Sequence, residues 1–378
     1  MLENLTDVER ALLRAAEAGE WLVASELNEE SRLSDFISVR ADIVQDLVSA
    51  QPYRVDAKGV RIKNVVISGN LNLDDVEVRR PLVFYGCYFD HPVSMRRAIC
   101  SEISFESCAF EYLLADGVHV KHNLTLRQVR AGFLELTGSA VGGDFSVEGA
   151  RLAGGDGVAV KARRMRVGGD AILAGRFRAD GILDFSLAVI TGRLGISGAI
   201  ATTQGYALIA TAASFKGGVF FGPALTLDGG ACLDSAEVTI GIMAEDSKFV
   251  WGSETAFSGN NLEVKGDVYF TSCQFIGMLR LMGASIDGLL HLAGSVLRTS
   301  RGACFNGQHL SVGGSIYMRD NFRSLGLIVL TGAKIGGWLT FQGACLNSEL
   351  IDAQNIEIGE NLAFDPGAWT EDRCRMNG

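Results

Sequence analysis

The chain has 378 residues and a formal net charge of −10 at pH 7, with 48% hydrophobic and 21% charged residues. This composition excludes an intrinsically disordered chain, and the negative charge disfavours direct binding to the phosphates of DNA or RNA. The sequence has 46 glycines but only 5 prolines. Glycine without proline predicts many tight corners rather than a flexible linker.

The first predicted elements are two helices. The segment from Thr6 to Glu9 has the form of a capping box, and the apolar residues up to about Trp21 follow helical spacing. A second helix is predicted over residues 39–49. Residues 1–58 lack the repeat described next, so they are expected to form a small helical cap. Such a cap would cover strand edges that an open solenoid end exposes.

A short repeat follows the predicted cap. Residues 339–346, Leu-Thr-Phe-Gln-Gly-Ala-Cys-Leu, define it, and residues 145–152, 279–286 and 328–335 match it closely. Two apolar residues two positions apart lie on one face of a short strand. The small residue and the next large one then point inward again, after a glycine bend. Each unit therefore predicts two very short strands.

About 26 units cover the chain, and most begin 10 to 13 residues apart. Their first apolar residues are Leu71, Leu82, Val93, Ile103, Leu113, Leu124, Leu134, Phe145, Val158, Ala171, Leu183, Leu194, Leu208, Val219, Ala231, Ile242, Phe257, Val268, Leu279, Leu290, Ala303, Ile316, Ile328, Leu339, Ile351 and Leu362. Two units form one four-sided coil. The predicted fold is thus all-β, a parallel right-handed β-solenoid of about 13 coils over residues 59–364 with a C-terminal tail at 365–378.

Insertions repeat every second coil. Unusually long steps lead into Val158, Leu208, Phe257 and Ala303, which are 50, 49 and 46 residues apart. Insertions on one edge of a solenoid are typical of partner-binding surfaces, and Trp, Tyr and Arg are common interface anchors. The candidate partner-binding ridge contains Asp156, Tyr206, Trp251, Glu254, Arg298 and Arg301. The alternative is that these loops are merely tolerant of insertion.

The eight cysteines favour a structural interpretation. Cys87, Cys108 and Cys273 occupy the small inward position of the unit, where cysteine acts as a small apolar residue. Cys304 and Cys345 are expected to point outward. No secretory signal precedes them and none form a CxxC pair, so free thiols in a reducing cytoplasm are expected.

No pattern predicts catalysis, a cofactor or a metal. His119 and His122 are close in sequence, but a metal site needs further ligands and His119 is expected to face solvent. No glycine-rich loop opens a helix, and the carboxylates are scattered rather than paired. No apolar run is long enough to span a membrane, so membrane association could arise only peripherally.

The Ala-x-Leu/Ile rhythm of residues 60–364 resembles pentapeptide-repeat proteins and related bacterial β-solenoids. The units here are longer than two five-residue repeats, and Asp or Asn does not regularly precede the central Leu. Larger and less regular coils than in that family are therefore expected. The chain is also similar to bacterial proteins labelled "membrane-associated oxidoreductase", although no motif here matches either half of that label.

The main functional hypothesis is a non-enzymatic scaffold or protein-interaction module that self-associates. Some pentapeptide-repeat proteins mimic DNA and bind gyrase, so the resemblance implies one alternative, an acidic inhibitor of a nucleic-acid enzyme. It requires a face lined with carboxylates. A second alternative, a carbohydrate-active β-helix enzyme, requires paired carboxylates in a groove. The basic segment 163–166, with Arg176 and Arg178, could meet an acidic partner.

Overall fold

A computed structural model of the chain describes residues 5–23, 37–49, 54–154, 157–202, 205–252, 254–346 and 351–365. The chain divides into two compact units, Met1–Gly181 and Ile182–Gly378. Each unit is a β-solenoid of short parallel strands, which confirms the predicted fold class. Each coil has four sides, which we name faces A, B, C and D in the order in which the chain passes through them.

The N-terminal unit begins with two helices, α1 over Asp7–Ala18 and α2 over Ala41–Ser49. The predicted capping box is confirmed. The Glu9 amide donates to the Thr6 hydroxyl at 3.2 Å, and the Thr6 amide donates to the Glu9 carboxylate at 2.8 Å. These bonds satisfy amides that have no partner inside the helix.

The predicted helix boundaries at Trp21 and residue 39 are wrong, because strands replace helix at both places. Strand β1, Trp21–Val23, pairs with Val60–Lys63, and strand β2, Ser38–Arg40, pairs with Val66–Ser68. The unpaired backbone groups of the first coil favour added strands over continued helix. Residues within the predicted cap therefore also cover the edge of the first coil.

In the N-terminal unit, most of the four-residue strands lie on face A. Face A contains Trp21–Val23, Val60–Lys63, Leu82–Tyr85, Ile103–Glu106, Leu124–Arg127, Phe145–Ser146 and Ala171–Leu173. Face B contains Ser38–Arg40, Val66–Ser68, Tyr88–Phe89, Arg130–Ala131, Arg151–Leu152 and Arg178–Asp180. Face C contains Val93–Ser94, Tyr112–Leu114, Phe133–Glu135 and Val158–Lys161. Face D contains Glu77–Val78, Ile99–Cys100, His119–Val120, Ala140–Val141 and Arg166–Val167.

The C-terminal unit repeats the same four faces. Face A contains Leu194–Ile196, Val219–Phe221, Gly241–Glu245, Asp267–Thr271, Leu290–His291, Ile316–Tyr317, Leu339–Thr340 and Leu362–Ala363. Face B contains Ala199–Ala201, Thr226–Asp228, Lys248–Val250, Gln274–Ile276 and Cys345–Leu346. Face C contains Ile182–Asp184, Leu208–Ile209, Ala231–Cys232, Phe257–Ser258, Leu279–Arg280 and Ile351–Asp352. Two long strands, Val296–Asn306 and Arg323–Val329, run from face B onto face C. Face D contains Val189–Ile190, Ser214–Phe215, Glu237–Val238, Glu263–Val264, Ser285–Ile286, Ser311–Val312, Lys334–Ile335 and Glu357–Ile358.

The registers confirm that two sequence units make one coil. Ile103 pairs with Leu82 and Leu124, and each of those residues begins the unit two places away along the chain. In the C-terminal unit, Phe257 likewise pairs with Ala231 and Leu279. The strands on face D, counted over both units, give the predicted number of about 13 coils.

Two of the unit starts are displaced by two residues. Val160 pairs with Leu134, where the sequence pattern gave Val158. Phe305 pairs with Leu279, where the pattern gave Ala303, and the register of its strand shifts on both sides of Ala303. Both displaced units follow an insertion. Each insertion ends two residues later than the apolar pattern indicates. The pattern could not show this, because a shift of two residues leaves the alternation of inward and outward side chains unchanged.

The core is a stack of inward side chains, with phenylalanine repeated on neighbouring coils. Phe249 is fully buried, and its ring lies 5.0 Å from that of Phe275 in a stacked arrangement. The rings of Phe221 and Phe257 meet it edge-on at 5.4 and 5.6 Å. Small residues fill the intervening positions, so the core is narrow and close-packed.

We expect Phe249→Ala to lower the free energy of unfolding by about 3–5 kcal/mol, because it leaves a cavity between the rings of Phe221, Phe257, Phe270 and Phe275. Urea unfolding followed by circular dichroism measures the change. The control is Val189→Ala on face D, where 38% of the side chain is exposed. Equal loss of stability in both variants would contradict a continuous aromatic core.

The N-terminal cap contains a partly buried ion pair. Glu9 is 1% exposed, and its carboxylate accepts from the Arg40 guanidinium at 2.8 Å. The Arg40 hydrogen bond is the main reason why the pKa of Glu9 falls from 4.5 to about 2. The pair therefore joins α1 to strand β2.

A carboxylate with a lowered pKa stabilises the fold above its unfolded pKa, and this contribution is lost as the pH falls. For Glu9 the loss should occur between pH 4.5 and about 2. Glu9→Gln should remove this part of the pH dependence, which is worth at most about 3 kcal/mol at 1.36 kcal/mol per pKa unit. Urea midpoints measured at both ends of that pH range test it. An unchanged pH dependence in the variant would contradict the assignment.

Candidate functional site

The insertions lie on one corner of the coil, between faces B and C. In the C-terminal unit they follow Ala199–Ala201 and Lys248–Val250, and the third lies within the strand Val296–Asn306. The coils between them turn the same corner over one or two residues, at Gly229–Gly230 and at Gly277. The predicted period of two coils is therefore confirmed in this unit.

The period has a steric cause. A Cβ atom on Gly229 would lie 2.6 Å from Thr202 Cγ2 and 2.7 Å from the Gly205 carbonyl oxygen. A Cβ atom on Gly277 would lie 2.8 Å from the Glu254 carbonyl oxygen. Both glycines have positive φ, at 120° and 127°. Each insertion thus packs over the bare corner of the next coil, which leaves that coil no room for an insertion of its own.

Two aromatic side chains of the ridge are in contact. The ring centroids of Tyr206 and Trp251 lie 4.4 Å apart at 74°, an edge-to-face pair. Both side chains are half-buried. The two residues belong to loops two coils apart, so their contact bridges the coil that contains Ala231–Cys232. Aromatic pairs in this geometry are stabilising beyond their buried area.

A hydrogen-bonded polar cluster lies beside Tyr206. The Asp234 carboxylate accepts from the Ser258 hydroxyl at 2.6 Å and from the Asn260 amide at 2.8 Å, and Arg280 donates to the Ser258 hydroxyl at 3.3 Å. Burial raises the pKa of the Tyr206 phenol, although its hydrogen bond with Ser258 acts in the opposite direction. The cluster joins neighbouring coils at the base of the ridge.

The other ridge residues are placed as follows. The side chains of Glu254, Arg298 and Arg301 are exposed. The Gly277 amide donates to the Arg298 carbonyl, so Arg298 follows Trp251 two coils along the same corner. Arg301 lies in a strand rather than in the predicted loop. Asp156 lies outside the described residues.

The inward positions predicted for Cys87, Cys108 and Cys273 are confirmed, since all three are at most 2% exposed. The outward prediction for Cys304 is wrong. Cys304 is fully buried, because the register shift that displaces Ala303 also turns its neighbour inward. Burial raises the pKa of Cys304 to about 12, so its thiol is unreactive.

The remaining predicted thiol and imidazole groups form no reactive centre. Cys345 is half-buried between the buried Ala344 and Leu346, which agrees with the outward prediction, but it is disulfide-bonded, so the expectation of a free thiol is wrong there. His119 is exposed, as expected, and His122 is exposed as well. Across the part of the chain that the structure describes, no group of three or more His, Cys, Asp or Glu side chains could hold a metal ion.

An aromatic column that the sequence pattern did not reveal lies on face A of the C-terminal unit. The outward residues Met243, Tyr269, His291 and Tyr317 occupy the same position on four successive coils. The His291 ring lies 5.6 Å from each tyrosine ring. Burial is the main reason why the pKa of His291 is lowered. The signal was present in the sequence as the residue that follows the first apolar residue of alternate units.

Charged residues also stack on neighbouring coils. Arg130, Arg151 and Arg178 are in register on face B of the N-terminal unit, and all three are exposed. Arg178 belongs to the predicted basic patch. On face D of the C-terminal unit, Glu237 is directly opposite Glu263. Like charges on directly paired residues of neighbouring strands repel each other. These charged columns therefore do not stabilise the fold.

No family model, curated protein or solved structure matches this chain. Among the helices that the structure describes, none has the length and apolar character needed to cross a membrane.

We expect Gly229→Ala to destabilise the C-terminal unit and displace the loop that carries Tyr206, because the new methyl group would overlap Thr202 and strain the backbone. Thermal unfolding and Trp fluorescence measure the two effects. Gly252→Ala is the matched control, since a Cβ atom there would meet nothing within 4 Å. A smaller effect at Gly229 than at Gly252 would contradict the packing of the loop on this corner.

Proposed function

We propose that this protein is a non-enzymatic interaction module, in which a rigid β-solenoid presents the ridge to a protein partner and also self-associates. The Tyr206–Trp251 pair is the observation that supports this proposal most directly. Two loops place the pair on a fixed scaffold, with Glu254 and Arg298 exposed nearby. Preorganised aromatic anchors surrounded by charged groups are typical of binding hot spots.

The rigid base matters because binding costs conformational entropy. Tyr206 is already held by Trp251 and lies against the hydrogen-bonded cluster of Asp234 and Ser258. A partner would therefore order few additional side chains on the ridge. We place the module in the cytoplasm, without a cofactor, with any membrane association arising through a partner.

The DNA-mimic alternative has less support than the interaction module. It needs a continuous column of carboxylates, whereas the strand registers of the described residues place carboxylates directly opposite each other only at Glu237 and Glu263. Arg130, Arg151 and Arg178 form a column of the opposite sign. The pentapeptide-repeat resemblance therefore supports the architecture of this proposal rather than a gyrase partner.

The carbohydrate-enzyme alternative also lacks a specific supporting observation. A glycosidase needs one carboxylic acid and one carboxylate facing each other across the bond to be cleaved. Asp234 lies in the hydrogen-bonded cluster beside Tyr206, and its oxygens already accept from Ser258 and Asn260. A carboxylate with those partners is suited to holding the loop rather than to proton transfer.

A pull-down from the native lysate tests the ridge. The full chain and its Trp251→Ala, Glu254→Ala double variant serve as bait. We expect recovery of a specific partner to fall about tenfold or more in the variant, since hot-spot aromatics contribute most of the binding energy. The matched control is Val189→Ala with Glu263→Ala, which removes one apolar side chain and one carboxylate from face D. Equal recovery with all three baits would remove the ridge as the binding surface.

A further inference from the structure

The outer surface of face A carries large side chains on successive coils of the C-terminal unit. Phe220, Met243, Tyr269, His291 and Tyr317 are in register on five coils. On the next coil Thr340 takes this position, and Trp338 lies two residues before it. Met243 and Trp338 are 50% and 41% exposed. Exposed apolar surface that is continuous over several strands marks an interaction site.

The N-terminal unit shows that the fold itself does not require this apolar surface. On its face A, the corresponding outward residues include Ser104, Thr125 and Ser146, which occupy the same register on successive strands. Face A of a coil can therefore be polar on its outer side. The fold therefore does not require the aromatic column of the C-terminal unit, and exposing its apolar side chains to water is unfavourable.

The rings of the column contact one another and a neighbouring guanidinium. His291 lies between Tyr269 and Tyr317 at 5.6 Å from each, and the Arg319 guanidinium lies 4.7 Å from the centre of the Tyr317 ring. The two ring pairs are tilted at 41° and 61°, so they do not form a flat platform on which a sugar or a nucleic-acid base would stack. A second protein surface that interdigitates with these side chains is the occupant that the geometry favours.

On one side of the column the charges have opposite signs at its two ends. On the other side lies the Asp267 carboxylate, which accepts from the Tyr269 hydroxyl and the Leu289 amide of its own chain. Glu245 is exposed next to Met243, at one end of the central four strands. Arg319 lies next to Tyr317 at the other end, on the same side of the column. The intervening residues at this position are Thr271 and Ala293, which are uncharged.

We propose that face A of the C-terminal unit is a two-fold interface between two copies of this chain, with the two solenoids antiparallel. A two-fold axis parallel to the strands, between the strands of Tyr269 and His291, places Glu245 of each copy against Arg319 of the other. It also places Met243 against Tyr317, and Tyr269 against His291. An interface of this kind is self-complementary, because each contact occurs twice.

The outer strands of the column agree with this arrangement. The same axis brings Trp338 against the strand of Val219–Phe221, where residue 218 is glycine and Phe220 supplies an apolar ring. Arg319 pairs with Asp320 of its own chain at 3.2 Å, but a guanidinium has further donors for a second carboxylate. Parallel solenoids would instead place Glu245 against Gly241 and leave both charges unpaired.

This inference rests on the proposed function, since it assigns the surface through which the module self-associates. Sedimentation velocity of the full chain over a range of concentrations tests it. We expect a dimer for the wild type. Glu245→Arg and Arg319→Glu should each raise the dimer Kd by about tenfold or more, because each creates two like-charge contacts. The double variant Glu245→Arg, Arg319→Glu should restore the Kd to near the wild-type value.

Glu263→Arg is the matched control, because it makes the same charge change on face D and should leave the Kd unchanged. Recovery in the double variant also shows that the single variants were folded. A monomeric wild type, single variants with unchanged Kd, or a double variant weaker than both singles would overturn the proposal. The ridge lies at the corner between faces B and C, away from face A. Failure of the dimer proposal can therefore be distinguished from failure of the ridge in the pull-down.

Discussion

The structure depends on one constraint, which is that equivalent residues of successive coils stack directly on one another at about 4.8 Å. Strand amides and carbonyls bond to the coils above and below, as in the pairing of Ile103 with Leu82 and Leu124. A side chain that points inward in one coil therefore has to fit its two neighbours. The phenylalanine stack around Phe249 and the small positions of Cys87 and Cys273 satisfy this requirement in different ways.

The same stacking determines where the chain can vary. An insertion has to leave the coil at a corner, and its residues then occupy the space over the next corner. Gly229 and Gly277 show the result, because a Cβ atom at either position would overlap the preceding loop. Insertion and glycine therefore alternate, and loops two coils apart come close enough for Tyr206 to contact Trp251. The candidate ridge follows from this alternation.

Stacking also turns isolated surface residues into columns. Tyr269, His291 and Tyr317 are separated by more than twenty residues in sequence, yet their rings are neighbours. Arg130, Arg151 and Arg178 form a charged column in the same way. Such columns give the solenoid surfaces of distinct character on different faces.

The sequence by itself determined the solenoid, the number of coils, the capping box at Thr6 and the corner that carries the insertions. It could do so because inward positions alternate with a short, regular period, and a residue such as Leu339 marks its own place in the coil. Only the tertiary structure decided where each insertion ends, because a shift of two residues preserves the alternation. Cys304 is buried, and Phe305 rather than Ala303 takes the inward position, for that reason. The aromatic column and the Tyr206–Trp251 contact depend on the lateral stacking of distant segments, which local spacing does not encode.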